Sequence, residues 1–218
     1  MDCRYKAVLF DLDGTLMDTS SGILAALQKT ISELKLESLD MDVLHTFIGP
    51  PVQMSFARVY GMTQEDADNA AGVFRDYYKQ PDYLLQAIPY EGVFDVLETL
   101  AKKRIKIAVA TYKRQDYAEN LLNHAGFNKY TDVFYGADFE GKLTKSDIIL
   151  KCIADCGISK NTNVLMVGDT YHDAMGAQNL NIPFLGVTYG FGFSCQEEIQ
   201  KFPNAGCANT PFEILNYV

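Results

Sequence analysis

Near its start the chain runs Ala7-Val8-Leu9-Phe10 straight into Asp11-Leu12-Asp13-Gly14-Thr15. A short apolar run rich in β-formers reads as a strand buried on both faces, the pattern of a parallel sheet. Residues two apart on extended chain point the same way, so Asp11 and Asp13 can serve one site at the strand's end. In open α/β sheets that end is where ligands bind. Two like charges held so close call for a cation. Gly14 then permits a sharp turn.

The rest of the chain supports that reading. Apolar residues recur at helical spacing in Ile23, Leu24, Leu27, Ile31 and Leu34, with Thr19 or Ser20 as the cap. Further helices are expected over Met41–Phe47, after Pro50-Pro51, and over Gln64–Lys79. No strand-like run occurs between Met17 and Ile88, so this stretch reads as a helical module. From Tyr90 onward helix and strand alternate. Helices are expected at Val93–Lys103, Asp116–His124, Ser146–Cys156 and Ala174–Leu180, with short ones after Ser194 and Pro211. Strands are expected at Ile105–Thr111, near Val133–Tyr135, at Asn163–Val167 and at Phe184–Thr188. Such alternation predicts a parallel sheet with right-handed crossovers. The expected architecture is an α/β Rossmann-like core with helices on both faces, residues 1–17 and 88–218, and an inserted all-helical cap, residues 18–87.

Composition narrows the partners. A formal net charge of −9 argues against nucleic acid, whose phosphates demand basic patches. No apolar run reaches the roughly twenty residues of a membrane span. The N-terminal Met1-Asp2-Cys3-Arg4-Tyr5 lacks a signal-peptide pattern, so a cytoplasmic protein is expected. The five cysteines, Cys3, Cys152, Cys156, Cys195 and Cys207, form no CxxC and read as reduced thiols. His45, His124 and His172 are too scattered to suggest a histidine metal site.

Three more strand ends or helix starts carry polar residues: Thr111-Tyr112-Lys113-Arg114, Lys145, and Gly168-Asp169-Thr170-Tyr171-His172-Asp173. Here the chain resembles the haloacid-dehalogenase-like hydrolase superfamily, in its phosphoglycolate-phosphatase and 5′-nucleotidase-like branch. The resemblance lies in four motifs in order, Asp11-Leu12-Asp13-Gly14-Thr15, Thr111, Lys145, and Gly168-Asp169 with Asp173. It extends to the helical insert after the first motif.

The resemblance implies a magnesium-dependent phosphatase acting on a small phosphorylated metabolite through an aspartyl-phosphate. Asp11 would be the nucleophile. Asp13 would protonate the leaving alcohol and then deprotonate water. Mg2+ would take the carboxylates of Asp11 and Asp169 and the backbone carbonyl of Asp13, with Asp173 orienting water behind them. Thr111 and Lys145 would hold the phosphoryl oxygens, with Lys142 the less suitable neighbour. Tyr112 and Lys113 are expected on the substrate side. In the cap, Ile48-Gly49-Pro50-Pro51 places Gly49 as a further substrate contact, whereas Arg58 reads better as part of a proline-started helix. The loop Tyr189-Gly190-Phe191-Gly192-Phe193 reads equally as a site wall or as a glycine-rich turn. Asp173 also fits a plain helix-start carboxylate.

Two other activities of the superfamily fit less well. Mutases that interconvert phosphosugars, such as β-phosphoglucomutase, more often carry Gly-Val where this chain has Gly14-Thr15. The dehalogenases lack the second aspartate, which here is Asp13. A pyrophosphatase remains an alternative. Oligomeric state is not read from the sequence.

Overall fold

The first strand, β1 (Ala7–Phe10), is buried along its whole length. In the computed structural model, which describes residues 4–159 and 163–218, it lies at the centre of a six-stranded sheet. Cys3 and the rest of the N-terminal tripeptide lie outside the described residues. The chain divides into two compact units, Met1–Asp18 with Pro89–Val218, and Thr19–Ile88. Both divisions fall one residue later than the boundaries read from the sequence.

In the first unit the strands are β1, β4 (Lys106–Arg114), β5 (Phe134–Ala137), β6 (Val164–Gly168), β7 (Phe184–Val187) and β8 (Gly206–Ala208). Their order is β5-β4-β1-β6-β7-β8, and every pairing is parallel. Two-residue strands, β2 (Met17–Asp18) and β3 (Ile88–Pro89), mark where the chain leaves and re-enters this unit. The helices are α6 (Val93–Lys102), α7 (Gln115–Ala125), α8 (Lys145–Asp155), α9 (Tyr171–Asn179) and α10 (Gln196–Ile199), with a 3-10 turn at Pro211–Asn216. Ala7 and Leu9 share a core with Ile148, Ile149 and Cys152 of α8 and Ala174 and Ala177 of α9. Phe10, on the opposite face of β1, lines a small apolar space with Val93, Val96 and Leu97 of α6. The sheet is therefore covered on both sides, which is why its strands read as unbroken apolar runs.

Among the boundaries that differ from the sequence reading, three bear on the strand-end residues, each for a local reason. β4 runs three residues past Thr111, and its register against β5 shifts between Ala110 and Arg114. Such an irregularity re-aims side chains beside a site. α9 begins at Tyr171 rather than Ala174, because Thr170 and Asp173 form a reciprocal cap. α8 likewise begins at Lys145, capped by Thr144 and Asp147. β8 was not foreseen, since a three-residue strand of Gly206, Cys207 and Ala208 carries no periodic signal.

The second unit holds α1 (Ser20–Glu33), α2 (Met41–His45), α3 (Val52–Tyr60), α4 (Gln64–Tyr78) and α5 (Pro81–Leu84). Its core is built on Leu27, Ile31, Leu44, Phe47, Phe56 and Phe74, with Phe47 edge-on to Phe56. Arg58 is spent within this unit: its guanidinium donates to the carbonyl and hydroxyl of Thr46, both at 2.9 Å. Among the described residues no helix is long and apolar enough to cross a membrane.

Candidate active site

The turn after β1 is built by backbone hydrogen bonds. Asp11 N–H donates to Val167 O at 2.9 Å, tying the strand end to β6. The carbonyl of Leu12 then accepts from Thr15, Leu16 and Met17. Gly14 sits at φ 81°, and a Cβ there would stand 2.2 Å from Asp169 Oδ2. Both the conformation and the lack of space demand glycine.

Lys145 is the hub of the site. Its Nζ lies 2.7 Å from Asp11 Oδ1 and 2.6 Å from Asp173 Oδ1, and all three side chains are buried. Its stem fits because Gly176 of α9 has no side chain; a Cβ there would meet Lys145 Cγ at 2.8 Å. The rival Lys142 lies on the surface, paired with Glu140. Asp173 holds Lys145 with one oxygen. With the other it accepts from Thr170 N–H (3.0 Å) and Thr170 Oγ1 (2.7 Å). The helix-start role and the site role are thus carried by the same carboxylate.

The remaining residues named from the sequence fall as follows. Lys113 Nζ lies 3.0 Å from Asp13 Oδ2, joining two motifs a hundred residues apart in sequence. Asp13 Oδ1 is buried and finds no hydrogen-bond partner among the described residues. Thr111 is buried, and its hydroxyl accepts from Lys113 N–H at 3.1 Å. Tyr112 turns toward α8, where its hydroxyl accepts from Lys145 N–H at 2.9 Å. Gly49 belongs to the helical unit, at φ 102° ahead of Pro50.

Thr15 of the first motif and the Tyr189–Phe193 loop, which the sequence left open between a site wall and a glycine-rich turn, both hold Asp169. Asp169 accepts from Thr15 Oγ1 (3.2 Å) at Oδ1, and from the N–H groups of Phe191 (2.8 Å) and Gly192 (3.2 Å) at Oδ2. The Tyr189–Phe193 loop is therefore a cradle for Asp169. A Cβ on Gly190 would stand 2.2 Å from Gly14 O, and one on Gly192 would stand 2.4 Å from Asp169 O. The usable signal was the pair of glycines at i, i+2 just past a buried strand, a spacing that lets successive N–H groups approach an anion.

Carboxylate oxygens of Asp11, Asp169 and Asp173 lie within 4.8 Å of one another, all buried. Burial is the main force pushing the Asp11 carboxyl up to about 7, against the pull of the Lys145 ammonium. Burial, reinforced by the charges of Asp11 and Asp173, pushes Asp169 up to about 8. Burial opposes the charge on Lys145, yet its two carboxylate partners hold it above the usual lysine range. When all three carboxyls are ionised, they outnumber the one Lys145 ammonium in a buried cluster. A hard cation with oxygen ligands is the group that such a donor set accepts.

Comparison with known proteins places the chain in a family. The chain is 31% identical over 207 residues to a 5′-nucleotidase of Pseudomonas aeruginosa, covering 94% of this chain and 92% of that protein. It is 29% identical over 189 residues to a phosphoglycolate phosphatase of Agrobacterium fabrum, covering 84% and 80%. A solved structure from Clostridium acetobutylicum, described as a predicted phosphatase, superposes with a TM-score of 0.88 at 32% identity, over 98% of this chain and all of that one. Residues 8–187 match the family model described as haloacid dehalogenase-like hydrolase, and the chain belongs to that family of hydrolases, among phosphatases.

Proposed function

We propose that the protein is a Mg2+-dependent phosphatase of a small phosphomonoester, working through a phosphoryl group carried on Asp11. The observation that carries this reading is the shared lysine: Lys145 bridges Asp11 and Asp173 beside a third buried carboxylate, Asp169. One ammonium leaves room for a dication in the charge balance. Asp11 and Asp169 are the carboxylates that would hold it, with Asp173 behind them. When bound, the cation neutralises charge on the transferring phosphoryl oxygens.

The protein's own groups then divide the work. An oxygen of Asp11 attacks phosphorus as the P–O bond to the leaving alcohol breaks, giving an acyl phosphate. Asp13 donates its proton to the departing oxygen and takes one back from the water that later cleaves the acyl phosphate. Its unpartnered Oδ1 suits that duty, while Lys113 at Oδ2 fixes its orientation. Lys145 neutralises the phosphoryl oxygens from the side of Asp11, and the Thr111 hydroxyl is the expected further donor to them. The relatives that act as a 5′-nucleotidase and a phosphoglycolate phosphatase support small phosphorylated metabolites as the substrate class.

The test is phosphate release, with and without Mg2+, from phosphoglycolate, nucleoside monophosphates, sugar phosphates and pyrophosphate. We expect metal-dependent release from at least one monoester, and Asp11→Asn lowering it by at least about a thousandfold while leaving the fold intact. Interconversion of sugar phosphates without net release would point to a mutase. Full activity in Asp11→Asn would sink the mechanism.

A further inference from the structure

Lys145 has to deliver its ammonium to two carboxylates at once, and the fold gives it an unusual support. It is the first residue of α8, and helix-start N–H groups have no partner inside the helix. The Thr144–Asp147 cap satisfies the N–H groups of Thr144 and Asp147 (2.9 and 3.2 Å), and leaves that of Lys145 outside the box. Tyr112 supplies the missing acceptor from a different element, β4, with its hydroxyl 2.9 Å from Lys145 N. The same ring lies 5.6 Å from Lys145 Nζ, within cation–π range. His172 packs edge-on against the ring, with centroids 5.1 Å apart. Gly176 of α9 lies against the lysine stem, where a Cβ would stand 2.8 Å from Lys145 Cγ.

We propose that Tyr112 is a positioning residue for Lys145, fixing both the backbone and the ammonium of the lysine that serves the phosphoryl group. This rests on the phosphatase reading above. Its flanking residues act elsewhere: Lys113 on Asp13, and Thr111 through the hydroxyl that accepts from Lys113 N–H. Tyr112 therefore acts on catalysis through Lys145 and makes no contribution to holding substrate. The side chain expected on the substrate side is committed to α8 instead.

The experiment is a double-mutant cycle of Tyr112→Phe and Lys145→Ala on full-length protein with Mg2+ and p-nitrophenyl phosphate. Single-turnover conditions at high enzyme concentration keep the lysine-free background readable. Phenylalanine keeps the ring and deletes the acceptor. We expect Tyr112→Phe to lower kcat about three- to tenfold, the value of one lost hydrogen bond, with KM within about twofold. In the Lys145→Ala background the same substitution should change the rate by less than about 1.5-fold, since neighbours acting as one unit are non-additive. Amide hydrogen exchange at Lys145 should quicken in Tyr112→Phe, a readout that needs no activity. A raised KM at unchanged kcat, an equal loss in both backgrounds, or unchanged exchange at Lys145 would each overturn the inference. Wild-type turnover in Lys145→Ala would instead bring down the catalytic role given to the lysine, so the two failures are distinct.

Discussion

Replacing Gly190 with alanine tests whether the loop after β7 builds the site or merely passes it. Gly190 is not among the positive-φ glycines, so the effect is steric rather than conformational. The added Cβ would stand 2.2 Å from Gly14 O and 2.5 Å from both Cβ and Oδ2 of Asp169. The first overlap is with backbone of the catalytic turn and the second with a buried carboxylate, so no flexible side-chain end can simply swing away. Overpacking of this kind costs about 1–3 kcal/mol. If the loop moves out instead, the N–H bonds of Phe191 and Gly192 to Asp169 lengthen, and two hydrogen bonds together contribute about 1–3 kcal/mol. The two routes are alternatives, so up to about 3 kcal/mol is expected. For a chain of this size that upper value lowers the thermal midpoint by about 6–12 °C. Misplacing Asp169 by about 1 Å should lower kcat/KM by about a hundredfold. Calorimetry and steady-state phosphate release read the two effects. A midpoint within about 2 °C of wild type together with unchanged kcat/KM would show that Asp169 does not depend on this loop.

Gly72, inside α4, meets nothing within 4 Å of a built Cβ, so Gly72→Ala should raise stability by about 0.5–1 kcal/mol in urea unfolding without touching kcat; a loss would refute it. Asp169 gives the pH test. Its carboxyl, raised by burial to about 8 in the fold, ionises near 4 when unfolded. A raised folded pKa gives stability that is fully present below pH about 4 and is lost as pH climbs through about 8. In chelator, the stability difference between Asp169→Asn and wild type should therefore shift toward the variant from pH 6 to pH 8.5. Added Mg2+, which favours the charged form, should shift it back, and a pH-independent difference would count against this account.

How much was legible follows from what each feature is made of. The sheet was readable because strands buried on both faces write themselves as uninterrupted runs, as in Val164-Leu165-Met166-Val167. Asp11, Asp13, Lys145, Asp169 and Asp173 were readable as candidates because each sits at a strand end or helix start that the apolar periodicity locates, where the four-motif resemblance singles them out. Their mutual geometry was not. That Asp173 both caps α9 and pairs with Lys145 depends on how α8 lies against α9, and no local spacing encodes that. Tyr112 was expected on the substrate side as a neighbour of Thr111. The register shift after Ala110 coincides with its turn toward α8, and a bulge leaves no letter of its own in the sequence.

The same argument explains why the cradle of Asp169 was left open between two readings. Its donors at Phe191 and Gly192 are backbone N–H groups, which every residue but proline possesses, so the side chain named at those positions says nothing about the bond. What the sequence does record is the space the bond needs. Gly14, Gly190 and Gly192 all lack a Cβ where one would enter Asp169 or the turn beside it, and they lie on two loops far apart in the chain. A carboxylate held away from water by backbone donors has to be approached closely from several directions, and only residues without side chains allow this. Glycines on separate strand-end loops that converge on one buried acid thus mark a site from its surroundings, as the paired carboxylates mark it from within.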